Sequence, residues 1–372
     1  MMLRPGLLLF AAAILLAAPA LGQGRAPSLY TVSDVAVDAT AQTALKARDA
    51  ARLDGERRAL RTLLERITNK EDWNRLPKAS DAELEDLLQD FEVVSEKTSA
   101  VRYIATMTYR FQREAIASFL RDHGIAFAES RSKPVLVLPV LTAGGRSVLW
   151  EDPNPWRAAW GEVSGIGEGL VPMRVSTGEL ADVQAIDAGQ AVRGDKDALI
   201  ALSRSYEGVD VLVARAELSG SGDQRTIALA AVRYAAGFPD QNWTGSVKAD
   251  GNEADDVLFA RAVAAVVAGV NDAWKQSMLS HGGGTSASAS ATLVATVPLR
   301  SLKDWVTVRE RLRSVSSIQR MRLLSLSKDA ARVEIGYLGE PETLQIVLAQ
   351  RDLALMPGAP DWTLSAKGAR TQ

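Results

Sequence analysis

Cysteine is absent from the 372 residues, and histidine is nearly so, with only His123 and His281. The first absence excludes disulfides, thiol nucleophiles, iron–sulfur ligation and every Cys-based zinc site, and the second leaves little imidazole chemistry. No charge sign dominates: 43 Lys and Arg face 45 Asp and Glu, a net of −2. Without a basic field to gather phosphates, no nucleic-acid partner is expected. Aromatic residues are sparse at 6%, while 47% hydrophobic and 24% charged residues describe an ordinary globular protein. Disordered, collagen-like and coiled-coil chains are thereby excluded. Length alone favours two or three domains.

Long hydrophobic runs are also scarce. Arg4 is the single charge before Leu7–Ala18, a wholly apolar stretch of twelve residues that ends at Pro19 and the small residues Ala20 and Gly22. A positive start, an apolar middle and an A-x-G site read as an export signal over residues 1–22, cut between Gly22 and Gln23. The alternative is an uncleaved inner-membrane anchor, but a membrane span needs about twenty apolar residues. The sequence therefore predicts a periplasmic protein whose mature net charge, once Arg4 is lost, is −3. Lack of Cys rules out an acylated lipoprotein and suits an oxidising compartment. Val257–Val270 is broken by Arg261 and preceded by Asp255 and Asp256, so it reads as a buried helix, and no membrane span is expected in the mature chain.

The rest divides into three small modules of α/β (α+β) class. The first, residues 28–130, reads β-α-α-β-β-α. An extended Leu29–Val37 precedes a long helix with Thr40 as its cap and Ala50, Leu53, Leu60, Leu64 and Ile67 on one stripe. Gly55 inside that helix costs about 1 kcal/mol against Ala unless something packs closely there. Ser80 and Glu83 form a capping box for a second helix. The strict alternation from Val101 to Phe111 marks a strand in a hairpin with Phe91–Ser95, and a helix then ends at Gly124. The second module, residues 133–279, opens with the continuous apolar run Val135–Leu141, which suits a strand covered on both faces of a mixed sheet. A Gly/Ser-rich stretch at 280–290 reads as a linker. The third module, 291–366, reads as a ferredoxin-like β-α-β-β-α-β unit, with Leu353–Met356 and Trp362–Leu364 forming its last strand.

Candidate chemistry is thin. H-G-G-G at His281–Gly284 has the glycines of an esterase oxyanion loop, but the chain has no G-x-S-x-G elbow and the match falls in the linker. Gly165, Gly167 and Gly169 fit a turn better than a phosphate loop, since no apolar strand feeds them and Glu168 would repel phosphate. Asp187, Asp195 and Asp197 are too scattered for a calcium loop, and Asp195 reads as a helix cap. His123 sits in the last turn of a helix and lacks a neighbouring ligand. No catalytic, metal or cofactor-binding residue is assigned, and no cofactor is expected. The most distinctive segment is Trp150–Trp160. Trp156 and Trp160 share a helix face at i, i+4 behind a loop stiffened by two prolines. Trp150, Trp156, Arg157 and Trp160 are thus candidate contacts for a partner, while the competing reading makes the tryptophans plugs of a core or of a seam between modules.

The export signal, L-Y-T-V-S-D-V-A-V-D-A-T, A-A-R-L-D-G-E-R-R-A-L-R-T-L-L-E-R-I-T and V-R-Y-I-A-T-M-T-Y-R-F ahead of K-P-V-L-V-L-P-V-L resemble the proteobacterial domain-of-unknown-function family 2066. N-P-W-R-A-A-W and L-K-D-W-V-T-V-R-E-R-L extend the likeness over nearly all of the mature chain. That resemblance implies an exported protein of a Gram-negative bacterium and carries no activity or site residues. In plan, the first module and the V-L-V-L-P strand are also similar to envelope accessory proteins with a TolB N-terminal-like domain. The expectation is a non-enzymatic scaffold or binding protein whose partner is an envelope protein or polymer. Two alternatives stay open: a carboxylate-dependent hydrolase or transferase acting on an envelope polymer, which needs two carboxylates about 5 to 10 Å apart in a cleft, and a module binding a small ligand or lipid, which needs a deep apolar pocket in the middle domain.

Overall fold

A computed structural model of the chain describes residues 28–163, 166–235, 241–279, 290–315 and 317–366. The expected export signal and residues 280–289 of the expected linker, with His281, lie outside them. Helices combine with antiparallel and mixed sheets into an α/β protein of several modules, and its three sheets draw their strands from successive stretches of the chain.

The first sheet is antiparallel in the order β1 (Thr31–Thr40), β3 (Arg102–Phe111), β2 (Leu88–Thr98). Strand pairing persists to Thr40, so α1 (Ala44–Ile67) is capped by Thr43 rather than Thr40; the Thr43 hydroxyl accepts from the Lys46 amide at 3.3 Å. Leu60, Leu64 and Ile67 of the expected stripe are buried. Ala47, Ala51 and Leu63 face the sheet, Leu53 is half-buried and Ala50 is exposed. Gly55 does have its close neighbour: a Cβ there would overlap the Tyr109 hydroxyl and stand 2.7 Å from Val37 Cγ1. Ser80 and Glu83 make the capping box of α2 (Asp81–Leu87), each satisfying the other's backbone amide. Tyr103, Ala105, Met107, Tyr109 and Phe111 of β3 all face the core, as period-two alternation requires, whereas Val101 precedes the strand and is exposed. α3 (Arg113–Asp122) ends at His123 and at Gly124, whose φ of +66° is left-handed.

The middle sheet runs β5 (Arg146–Val148), β4 (Val135–Ala143), β7 (Asp210–Ser219), β8 (Thr226–Tyr234), β9 (Gln241–Lys248), with β6 (Met173–Val175) pairing parallel to the start of β4. β4 and β7 are parallel and the rest of the β7–β9 run is antiparallel. β4 is covered on both faces, with Val135, Val137 and Leu141 in one core and Leu136, Leu138 and Val140 in the other. Pro139, which brings no N–H to a ladder, sits between the stretch paired with β6 and the stretch paired with β5. One face carries α4 (Pro155–Glu162) and α8 (Asp255–Met278); the other carries α5 (Leu180–Ala185), α6 (Ala188–Arg193) and α7 (Lys196–Ser205). By length and composition α8 would pass for a membrane-crossing helix, yet it lays Leu258, Phe259, Val263 and Val266 against the sheet and α4.

The third sheet follows the expected plan with one departure. α9 (Leu302–Arg313) connects β10 (Ser290–Pro298) to β11 (Ile318–Leu326), and α10 (Pro341–Ala349) follows β12 (Ala330–Leu338), but β13 (Leu353–Met356) and β14 (Trp362–Ala366) are two strands, not one. They form a hairpin, and β14 inserts beside β10 in parallel, giving the order β11-β12-β10-β14-β13. Pro357, Gly358 and Pro360 between them break the extension and turn the chain back.

One hydrophobic core runs through all three sheets, and polar contacts pin the seams. Trp274 Nε1 donates to the Ser130 carbonyl at 2.7 Å, and Lys275 Nζ to the Glu65 carbonyl at 3.1 Å. Arg233, buried against Asp210, stacks over Trp274 at 5.6 Å. Gln350 Oε1 accepts from the Lys133 amide at 2.9 Å and from Arg233 at 3.4 Å, while Lys133 pairs with Asp352.

Candidate functional site

The Trp150–Trp160 segment turns inward. Asn154 caps α4 through the Arg157 amide at 3.0 Å, and the i, i+4 pair then points at α8. Trp156 and Trp160 are 0% and 1% exposed and meet edge-to-face at 5.6 Å. Trp156 also packs on Phe259 and donates to the Ala214 carbonyl at 2.9 Å, in register with Pro139. An indole with no exposed surface offers nothing to a partner, so these two are core plugs and not a contact platform. Trp150 is half-buried, its Nε1 bonded to the Ile186 carbonyl at 2.7 Å, and Arg157 reaches back to the Trp150 carbonyl at 3.0 Å. What remains accessible of the four candidates is Arg157 and part of Trp150.

The other residues singled out in the sequence have local structural roles. His123 Nδ1 meets the Phe119 carbonyl at 2.7 Å, with its ring 4.8 Å from that of Phe119. Asp195 caps α7 through the Ala198 amide, and Asp187 makes a capping box with Gln190. Residues 166–168 form a turn, and Gly167 and Gly169 present carbonyls to Arg131. Glu168 is buried in an ion pair with Arg66 at 2.8 Å. Among the described residues no group of three or more His, Asp or Glu side chains is placed to hold a metal ion.

A space with polar walls lies between the first and third sheets. This cleft, of about 860 Å³, is bounded by the start of β1, the near ends of β2, β3 and α3, the stretch 129–131 leading into β4, and the ends of α9 and α10. Its walls carry Arg110, Arg113, Arg131 and Arg351 against one carboxylate, Glu129. Folding forces these together: Tyr30 precedes β1, which pairs with β3, and the chain leaving α3 bridges to the end of α1 at Thr68 and Phe127 on its way to β4. Glu129 accepts from Arg113 Nε and Nη2 at 3.1 and 3.2 Å and also from the Tyr30 hydroxyl. That triad is structural. Burial first and Glu129 second push the Tyr30 hydroxyl well above its ordinary pKa, and the bond to Glu129 drives the Arg113 guanidinium higher still. With a single carboxylate in its walls, and that one doubly tied, the cleft does not assemble the acid/base pair a two-carboxylate mechanism needs.

Two smaller grooves flank α8. One, of about 270 Å³, lies under Trp243 and Trp274; the other, of about 340 Å³, lies beside Trp73, Val267 and Asn271.

Residues 35–129 match a domain of unknown function (DUF8605). The match spans about a quarter of the chain, from within β1 to Glu129 at the cleft wall. No curated protein and no solved structure matches the chain.

The cleft escaped sequence reading because its lining comes from six separated stretches between residues 28 and 351. One signal was available: Arg351 and Asp352 sit between the largely buried helix α10 and the strand Leu353–Met356, where charge is out of place unless it has a use.

Proposed function

We propose that this is an exported, periplasmic binding protein of the cell envelope, acting through the cleft between its first and third modules and not through catalysis. The finer family likeness, to the proteobacterial family 2066 and in plan to TolB N-terminal-like accessory proteins, belongs to the same reading. The observation that carries it is the cleft itself, a polar space of about 860 Å³ whose walls come from the first and third parts of the chain and from the stretch 129–131 that leads into the middle one. Sites at module junctions are where ligands and partners usually seat, because several elements converge there. The exposed remainder of the tryptophan segment, Trp150 and Arg157, is the second candidate contact.

Site-specific photocross-linking in the producing cells tests this. Photoreactive residues at Gln89 and Ser314, both exposed at the cleft, are compared with ones at Leu45 and Leu302, exposed away from it. Adducts confined to the first two, on a chain that begins at Gln23 and fractionates with the periplasm, are expected. A chain retained whole in the membrane overturns the export reading, and absence of cleft adducts overturns the binding reading.

A further inference from the structure

With the cleft taken as the binding site, a ligand class follows from the state of its arginines. Arg110 is held by Asp90 and Glu92 at 2.6 and 2.5 Å, Arg113 by both oxygens of Glu129, and Arg131 by the carbonyls of Gly167 and Gly169. Arg351 differs. Its Nε is shut off from solvent without a hydrogen-bond partner, and its side chain makes no ion pair or hydrogen bond to any described residue. Its backbone is held on both sides. Gln350 and Asp352 on either side are pinned to Lys133, the Asp352 carbonyl accepts from Arg311 at 3.0 Å, and the Arg351 amide bonds the Leu348 carbonyl at 2.9 Å.

A half-buried guanidinium without a partner is expensive, and folded proteins compensate such charges by pairing them. The strain is visible in neighbouring groups. Burial lowers the Arg351 pKa; Arg131 is lowered by burial and then by the charges of Arg66 and Arg351 nearby. The cleft therefore holds positive charge that the described residues leave uncompensated, in a space open to a ligand.

We propose that the cleft receives an oxyanion of its ligand, a phosphate or a carboxylate, and that Arg351 is the residue that takes it. A guanidinium presents a planar fork of donors that matches either group through charge-assisted hydrogen bonds. Arg131, on the adjoining wall, adds field. The proposal rests on the cleft being the binding site and specifies what that site selects.

The test titrates the purified chain at constant ionic strength with inorganic phosphate, with glutarate, and with phosphatidylglycerol against phosphatidylcholine vesicles. Binding and Tm are read for the wild type, Arg351→Met, Arg351→Lys and, as a control, Arg322→Gln, an exposed arginine of β11 outside the cleft. Saturable binding with a rise in Tm is expected for the wild type and for Arg322→Gln. Arg351→Met is expected to weaken binding by about tenfold or more, with Arg351→Lys intermediate. Without anion, Arg351→Met should melt no lower than the wild type, since it removes a buried charge that no described residue pairs. A response to free phosphate or glutarate assigns a soluble ligand. A response to phosphatidylglycerol alone, lost in Arg351→Met, assigns a lipid headgroup. No response in the wild type, an equal response in Arg351→Met, or a lower anion-free Tm in that variant each overturns the proposal. Cleft adducts without an anion response sink the oxyanion assignment alone, whereas an anion response without adducts sinks the envelope-binding reading and leaves this one standing.

Discussion

The first and third sheets begin alike and close differently. Each is built from a strand, a long helix, a hairpin and a helix, with the short α2 added before the first hairpin, and in each the hairpin's second strand lies between the other two. The likeness reaches the irregularities. β2 shifts register between Leu88 and Asp90 and again between Val93 and Ser95; β11 shifts between Ile318 and Arg320 and again between Leu323 and Ser325. Counted from the first residue of each strand, the bulges fall at the same places. Both strands are exposed sheet edges, and bulges twist such edges away from further pairing. The opposite edge separates the two. β10 is covered by β14, whereas β1 has no strand beyond it among the described residues. Guanidinium groups from α1 take that role: Arg66 donates to the Leu29 and Thr31 carbonyls at 2.9 and 2.6 Å, and Arg58 to the Ala36 carbonyl at 2.7 Å. One plan thus satisfies its open edge either with a strand or with side chains. The side-chain solution also brings Arg66 to Glu168 and adds positive charge next to Arg131, so the field around the cleft follows from how the first sheet is finished.

The largest effect is expected where that closure is removed. Arg66→Met strips two carbonyls of their donor and leaves Glu168 buried and unpaired, and breaking a buried pair from one side costs about 3 to 5 kcal/mol. Urea unfolding measures it, and a loss below about 1 kcal/mol would show that β1 needs no side-chain cover. A sharper contrast comes from two glycines. Gly55→Ala drives a methyl group into Tyr109 and Val37, and such overpacking costs about 1 to 3 kcal/mol. At Gly336 of β12 a Cβ would stand 3.5 Å from its nearest neighbour, an ordinary contact, so Gly336→Ala is expected to be neutral or mildly stabilising. Equal losses at both sites would mean that close helix–sheet approach is not peculiar to the first sheet.

The smallest expected effect concerns pH. α1 buries Glu56, whereas α9 buries Trp305, Val308 and Leu312. Burial raises the Glu56 carboxyl pKa against the opposing pull of Arg52. The native state therefore binds this proton more tightly than the unfolded chain does. The resulting stability is full below the ordinary glutamate pKa and is lost as pH rises through the raised one. Glu56→Gln should flatten that part of the stability profile and cost little near neutrality; a large neutral-pH loss would show that the Glu56–Arg52 pair is net favourable.

Much of the local structure was legible because its causes are local. The Ser80–Glu83 capping box, the alternation of β3, the doubly covered strand at Val135 and the Asp195 cap each depend on residues a few positions apart. Misreadings came where a distant partner decides. Thr40 lost the cap to Thr43 because β3 pairs with β1 up to Thr40. α5 and α6 were missed because each has only six residues and no periodicity to show, although D-A-G-Q at Asp187–Gln190 spells the capping box of α6. Trp156 and Trp160 share a helix face by spacing alone, but only the position of α8 and the carbonyl of Ala214 determine that this face is buried.

By itself the sequence determined the α/β class, the near-absence of thiol and imidazole chemistry, and most elements and their order, since composition and short-range periodicity act before any long-range contact exists. Tertiary structure alone decided that β14 slips in beside β10, that β1 is closed by arginines, and that Arg351 stands without a partner among the described residues in a cleft lined by residues from 28 to 351. Those outcomes depend on which backbone groups and charges are left unsatisfied once distant segments have packed, and a linear pattern does not contain that information.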